Sequence, residues 1–186
     1  MKSTPVTVIV PLDYASDVSK TKLSPASIET LSKAINFLNH APVKKSHVLI
    51  CGNTQHPKQR MNAVQARTWR KAILDSLREN TSYQYLFTLT TNSIDEAENI
   101  KQELFWNHLS PKAIHVFCDR YHAGRTELIW GHFFPDTRII IHKVRCPWGR
   151  KQAQFIQRNT LLWAVANYVS YFIMKVRGVE NIRNIK

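Results

Sequence analysis

Residues 6–10, VTVIV, decide the fold. Such a continuous, β-branched run is typical of a strand that is buried on both faces, and Pro11 predicts its end. HVLIC at 47–51 is a second strand of the same kind, and AIHVFC at 113–118 and RIIIH at 138–142 predict two more. Strands buried on both faces belong to sheets that are covered by helices.

Helical patterns alternate with these strands. Ser24 followed by Pro25 predicts a helix start, since serine caps helices and proline suits the first helical position. Ser93 and Glu96 have the spacing of a capping box. Apolar spacing predicts further elements, namely helices near 61–77 and 94–105, a weaker strand at Tyr83–Leu89, a short helix at Tyr121–Phe134 and a long helix at about 152–178 that Gly178 ends. The alternation predicts one α/β domain over residues 1–186, with a mainly parallel sheet.

Positive charge is concentrated at the end of the chain. The 186 residues contain 26 Lys and Arg against 13 Asp and Glu. Between Arg138 and Lys186, ten basic residues face one acid, Glu180. A field of this sign attracts polyanions, anionic lipid or phosphorylated small molecules. No zinc finger, RGG run or RNA-recognition signature is present, so we do not expect nucleic acid as the partner.

The remaining composition favours a cytoplasmic protein. Three cysteines without CxxC spacing indicate a reducing compartment rather than a disulfide framework; they are Cys51, Cys118 and Cys146. The apolar run near the N-terminus is too short for a signal sequence. Residues 160–176 are too short and too polar to span a membrane, so we expect a helix that packs on the sheet and could share in an oligomer contact. A role at an anionic membrane surface stays the alternative. No two histidines form an HExxH or HxH pair, so we expect no metal site.

Polar residues follow every predicted strand. In open parallel sheets, ligands bind at the carboxyl ends of the strands, where helix N-termini suit phosphate or carboxylate. The predicted rim consists of Asp13, Tyr14, Ser16, Gly52, Asn53, Thr54, Thr91, Asn92, Ser93, Asp119, Arg120, Tyr121, His122, Arg145, Trp148 and Arg150. This rim predicts a site for a polar or anionic ligand.

Three short segments resemble the YdcF/SanA-like family of bacterial domains of unknown function. The matching residues are Tyr121, His122 and Arg125 in FCDRYHAGR (117–125), Ser93, Asp95 and Ala97 in NSIDEA (92–97), and Gly52 in LICGN (49–53). Asn53, Glu96 and Asp119 depart from the family pattern, and the two added carboxylates would change a pocket's preference for a strongly anionic ligand. The resemblance implies a Rossmann-like three-layer α/β/α fold and a nucleotide-like ligand such as S-adenosylmethionine.

The rim and the resemblance together predict one site. Its ligand contacts are Asp13, Gly52, Asn53, Ser93, Glu96, Asp119, Tyr121, His122 and Arg125. If the site performs hydrolysis or group transfer, His122 is the candidate acid or base. The leading hypothesis is therefore the binding of a nucleotide-like or phosphorylated small molecule. The alternative is a non-enzymatic protein that binds a polyanion or membrane surface through its basic C-terminal quarter.

Structural roles remain open for three of these residues. His122 could be a satisfied histidine at a helix start rather than a ligand contact. Arg125 could pair with Glu96 or Asp119 and hold neighbouring loops together. Ser93 fits a helix cap better than a nucleophile, because it has a capping-box partner and lacks the Gly-x-Ser-x-Gly elbow.

Overall fold

The computed structural model describes residues 3–14, 22–41, 47–54, 63–77, 83–90, 92–152 and 154–179, without the side chains of residues 53, 54, 63–66 and 89. Within these ranges, strands and helices alternate. The elements are β1 (Thr4–Pro11), α1 (Pro25–His40), β2 (His47–Thr54), α2 (Ala63–Leu77), β3 (Tyr83–Thr90), α3 (Ser93–Trp106), β4 (Leu109–Asp119), α4 (Ala123–Phe133), β5 (Arg138–Val144), a 3₁₀ turn (Phe155–Arg158) and α5 (Thr160–Arg177).

The described strands form one parallel sheet in the order β3-β2-β1-β4-β5, which is a Rossmann-like arrangement. The predicted α/β fold is confirmed. Val8 on β1 pairs with Val48 on one side and Ile114 on the other, and none of the three is more than 2% exposed. The chain changes direction across the sheet between β1 and β4, so the ligand crevice of this fold lies at their carboxyl ends.

Helices flank the sheet. Right-handed crossovers place α1 and α2 on one face and α3 and α4 on the other, because the chain runs outward through β2 and β3 and then returns to β4 and β5. Consistent with this arrangement, α1 packs against α2, and α3 packs against α4. As predicted, Ser24 caps α1; its Oγ accepts a hydrogen bond from Ser27 N at 3.1 Å.

Two predicted helix starts are wrong. Asn92, not Ser93, caps α3, since its Oδ1 accepts from the backbone N–H groups of Ile94 at 2.8 Å and Asp95 at 3.0 Å. The Ser93 hydroxyl therefore does not cap α3. Helix α4 begins at Ala123 rather than Tyr121, because Asp119 holds the intervening residues in a turn by accepting from Tyr121 N at 2.9 Å.

The C-terminal helix also differs from its prediction. Rather than one helix from residue 152, a 3₁₀ turn precedes α5, and Asn159 caps α5 by accepting from Leu161 N at 2.9 Å. Gly178 ends the helix with a φ of 83°, as predicted. Helix α5 packs on α4 rather than on the sheet. Within the described ranges, no helix is both long and apolar enough to cross a membrane.

Candidate functional site

Ser93, His122 and Arg125 meet at the carboxyl ends of the strands. Ser93 begins α3 after β3, while His122 and Arg125 begin α4 after β4. Arg125 Nε donates to His122 Nε2 at 3.0 Å, and Arg125 Nη2 donates to Ser93 Oγ at 3.1 Å. Ser93 Oγ lies 3.4 Å from His122 Nε2. The fold thus brings together the three side chains that the sequence pattern placed on one rim.

The hydrogen bonds fix the tautomer of His122. Because a guanidinium N–H can only donate, Nε2 of His122 must accept, and its ring proton sits on Nδ1. This proton points to Tyr14 Oη at 3.2 Å, and Tyr14 Oη also accepts from Asp119 N at 2.7 Å. Burial and the neighbouring Arg125 guanidinium lower the pKa of His122 well below its ordinary value. The imidazole is therefore neutral at physiological pH.

Arg125 supplies the positive charge of the site. Burial lowers its pKa to about 10, which leaves the guanidinium charged at neutral pH. Arginine has five N–H donors, of which one is directed at His122 and one at Ser93. The predicted alternative pairing of Arg125 with Glu96 or Asp119 is wrong. Asp119 accepts from Trp148 and Trp163 instead, and Glu96 lies against Gly52. The guanidinium therefore keeps donors for an anion.

A cavity of about 270 Å³ opens beside these residues, and Asp13, Tyr14 and Asn92 also line it. Two further lining residues, Gln157 and Asn167, are at most 2% exposed. Gln157 Oε1 and Asn167 Oδ1 find no hydrogen-bond partner among the described residues. Buried amide oxygens without partners are costly, so they indicate donors that a ligand or water would supply.

Asp119 holds one wall of this cavity in place. Its carboxylate accepts from Trp148 Nε1 at 3.0 Å, Trp163 Nε1 at 3.1 Å and Tyr121 N at 2.9 Å, and the residue is 1% exposed. Trp163 belongs to the first turn of α5 and lines the cavity. Asp119 is not among the residues that line the cavity; its carboxylate links the end of β4 to α5. Its role as a ligand contact stays a prediction.

Gly52 and Glu96 form a separate buried contact. A Cβ atom at position 52 would lie 2.8 Å from Glu96 Cδ, so the missing side chain makes room for Glu96 rather than for a ligand. Burial and the nearby Asp13 carboxylate raise the pKa of Glu96 to about 8, and Arg70 opposes this shift. Asp13 itself forms a buried ion pair with Arg70 at 2.5 Å and accepts from Ser27 Oγ at 2.7 Å. Gly52 and Glu96 are not among the residues that line the cavity, and their role as ligand contacts stays a prediction.

Among the other predicted rim residues, Arg120, Arg145 and Arg150 are exposed. Tyr121 is half-buried, and the Arg120 guanidinium stacks 4.6 Å above its ring and donates to its Oη at 2.6 Å. Ser16, Thr91 and the side chains of Asn53 and Thr54 lie outside the described part of the chain.

The sequence pattern missed Gln157, Trp163 and Asn167. All three come from the 3₁₀ turn and α5, and nothing in a local pattern indicates that this segment returns over the strand ends. Their one local signal is polarity, since Asn167 interrupts an apolar helix. Over the described residues, no group of three or more His, Cys, Asp or Glu is arranged to hold a metal ion.

No family model, curated protein or solved structure matches this chain. The YdcF/SanA-like resemblance therefore rests on its three short motifs and stays a prediction.

Proposed function

We propose that the chain binds a small phosphorylated or otherwise anionic molecule in the cavity beside Arg125. The observation that carries this proposal is a half-buried guanidinium at the wall of an open cavity, with N–H donors that no group among the described residues accepts. Its two hydrogen-bond partners, a neutral imidazole and a hydroxyl, bring no negative charge, and the Asp13 carboxylate in the same cavity is ion-paired with Arg70. The N-terminus of α3 adds a positive dipole end at Ser93. An anion is the group that this environment stabilises best.

The rest of the cavity narrows the ligand further. Its volume of about 270 Å³ lies just below the roughly 300–1,000 Å³ of most ligand pockets, which favours a small ligand. The amide oxygens of Gln157 and Asn167 favour N–H or O–H groups on that ligand. Trp163 and Tyr14 supply aromatic surface. A phosphorylated metabolite or a small nucleotide meets these requirements, and S-adenosylmethionine stays a prediction of the resemblance.

A reaction at this site would depend on the ligand's effect on Arg125. The lone pair of His122 Nε2 is occupied by Arg125, so the imidazole cannot accept a proton in the described arrangement. An anion that draws the guanidinium away frees this lone pair. The Ser93 hydroxyl, 3.4 Å away, is then a proton donor within reach. Hydrolysis or group transfer with His122 as base would therefore begin only after the ligand is bound.

Replacing Arg125 tests the binding proposal. We expect Arg125→Ala to weaken the binding of a phosphorylated ligand by about 1.5–3 kcal/mol, the usual value of hydrogen bonds to a charged group. A thermal-shift screen with nucleoside monophosphates, sugar phosphates and S-adenosylmethionine finds the ligand, and isothermal titration calorimetry measures its affinity. Arg138→Ala is the matched control, because Arg138 is exposed and begins β5, at the end of the strands that lies opposite to the site. Equal affinity of wild type and Arg125→Ala would rule the site out.

The surface of α5 favours a second candidate function, contact with an anionic membrane or another polyanion. Apolar side chains that are 49–73% exposed, with Leu161, Val165 and Phe172 among them, form a stripe along this helix. Lys175 and Arg177 lie in its last turn. Apolar stripes flanked by cations bind anionic interfaces. In a sedimentation assay with phosphatidylserine vesicles, pelleting that disappears at high salt supports this role, and no pelleting at low salt removes it.

A further inference from the structure

A second cavity continues the first one outward between α4 and α5. Its volume is about 520 Å³, and Tyr121, Val165 and Tyr171 are among the residues that line it. Arg125 and Asn167 line both cavities. The two therefore adjoin at the guanidinium, and we call the outer one the α4–α5 groove.

The chemistry changes from one end of this combined space to the other. The inner cavity presents a cation, a hydroxyl and unpartnered amide oxygens, whereas the groove is walled mainly by aliphatic and aromatic side chains. Val165, Tyr168 and Val169 are 52%, 73% and 49% exposed. Apolar side chains gathered along an open groove mark a site that a ligand covers. An occupant of both parts needs an anionic end and an apolar end.

We propose that the ligand is an amphiphile whose phosphate lies beside Arg125 and whose hydrocarbon chain lies along the α4–α5 groove. This proposal rests on the proposed function, because it places the anionic group in the same cavity. Two cations line the groove, Arg120 and Arg125. The Arg120 guanidinium stacks on the Tyr121 ring and donates to its Oη, so we place the phosphate beside Arg125, which also lines the inner cavity. Gly124 on α4 lines the groove, and the Tyr171 ring of α5 packs against it. A Cβ atom there would lie 3.2 Å from Tyr171 Cδ2, so a larger residue would have to displace that ring.

Phosphate esters of two chain lengths test the proposal. Octyl phosphate is titrated below its micelle concentration against ethyl phosphate, and binding is measured by calorimetry and by tryptophan fluorescence, since Trp163 lines the inner cavity. Each buried methylene is worth about fourfold in affinity, so four buried methylenes make octyl phosphate about 250-fold tighter. Octyltrimethylammonium, which has the same chain and the opposite charge, should not bind.

Variants separate the groove from general apolar adsorption. Val165→Glu places a carboxylate in the groove and should weaken octyl phosphate at least tenfold while leaving ethyl phosphate unchanged. Phe172→Glu is the matched control, because Phe172 is 61% exposed on the same helix and does not line the groove. It should leave both affinities unchanged.

Each remaining outcome overturns a different part of the idea. Equal affinity for ethyl and octyl phosphate refutes the groove and leaves the anion cavity standing. Equal weakening of octyl phosphate by Val165→Glu and Phe172→Glu shows adsorption on the whole α5 surface and refutes the groove. If neither ester binds, the proposal of an amphiphilic ligand is refuted. The thermal-shift screen with phosphorylated ligands then tests separately whether the inner cavity binds an anion.

Discussion

At position 52, the lack of a side chain decides how the end of β2 packs. The Glu96 side chain fills the space that a Cβ would occupy, and Glu96 is only 2% exposed. A carboxyl group buried there is stable when it keeps its proton, because the ionised form would be desolvated beside Asp13. The glycine thus serves the protein's own packing.

We expect Gly52→Ala to lower the free energy of unfolding by about 1–3 kcal/mol, the usual cost of overpacking a core. Urea denaturation followed by circular dichroism measures this change. Gly131→Ala is the control, since a Cβ there meets nothing within 4 Å and alanine stabilises a helix by about 0.4–1 kcal/mol relative to glycine. The steric explanation also requires that Glu96→Ala relieve part of the cost in the double variant. A Gly52→Ala protein as stable as wild type would contradict it.

At the scale of the element, the first turn of α5 links helix capping to the cavity. Asn159 caps the helix, and Trp163, four residues later, donates to Asp119 and walls the inner cavity. Asn159 contacts backbone groups two and three residues away, whereas Trp163 contacts a residue 44 positions earlier in the chain. Fraying of this turn would therefore loosen a wall of the site as well as the helix.

Asn159→Ala should cost about 1 kcal/mol of the free energy of unfolding, because two backbone N–H groups lose their acceptor. Asn159→Asp should retain the stability, since aspartate caps as well as asparagine and suits the helix dipole. Urea denaturation compares the three proteins. Equal losses in both variants would show that the cap does not set the start of α5.

At the scale of the whole molecule, buried titratable groups give two opposite pH dependences. Burial lowers the pKa of His115 to about 4, and it also lowers those of His122 and His142. The unfolded chain therefore binds protons that the folded chain does not as the pH falls below about 6.5, and stability is lost toward acid. The raised pKa of Glu96 acts in the other direction, because the folded state keeps a proton that the unfolded state has released above about pH 4.5. Its contribution is lost as the pH rises through about 8.

This second effect can be isolated with Glu96→Gln, which keeps the shape of the side chain and removes its titration. Between pH 7 and 8.5, the wild type should lose about 1 kcal/mol more of its free energy of unfolding than the variant, because one proton is released from the folded state. Urea denaturation at several pH values measures the difference. Parallel pH profiles would show that Glu96 is ionised in the folded protein throughout this range.

Much of the fold could be predicted because its signals are local. A few residues are enough to predict the strand at residues 6–10 and the helix that follows Ser24-Pro25. The first residues of helices were predicted less accurately, because neighbouring polar side chains compete for the same cap. At the start of α3, for example, Asn92 rather than Ser93 is the cap. The convergence of residues 93, 122 and 125 could be predicted, because the carboxyl ends of parallel strands lie at the same end of the sheet. The hydrogen-bond partners of each side chain could not be predicted in this way.

The amino-acid sequence was enough to determine the α/β class. Strands that are buried on both faces and helices with one apolar face each leave a local pattern, and these patterns alternate along the chain. The tertiary structure alone decided that the strand order reverses between β1 and β4 and that α5 covers the site. Tyr14 meets His122 across 108 residues, and Trp163 meets Asp119 across 44. Contacts between residues so far apart in the sequence depend on how whole helices and strands pack, and a short stretch of sequence carries no information about that packing.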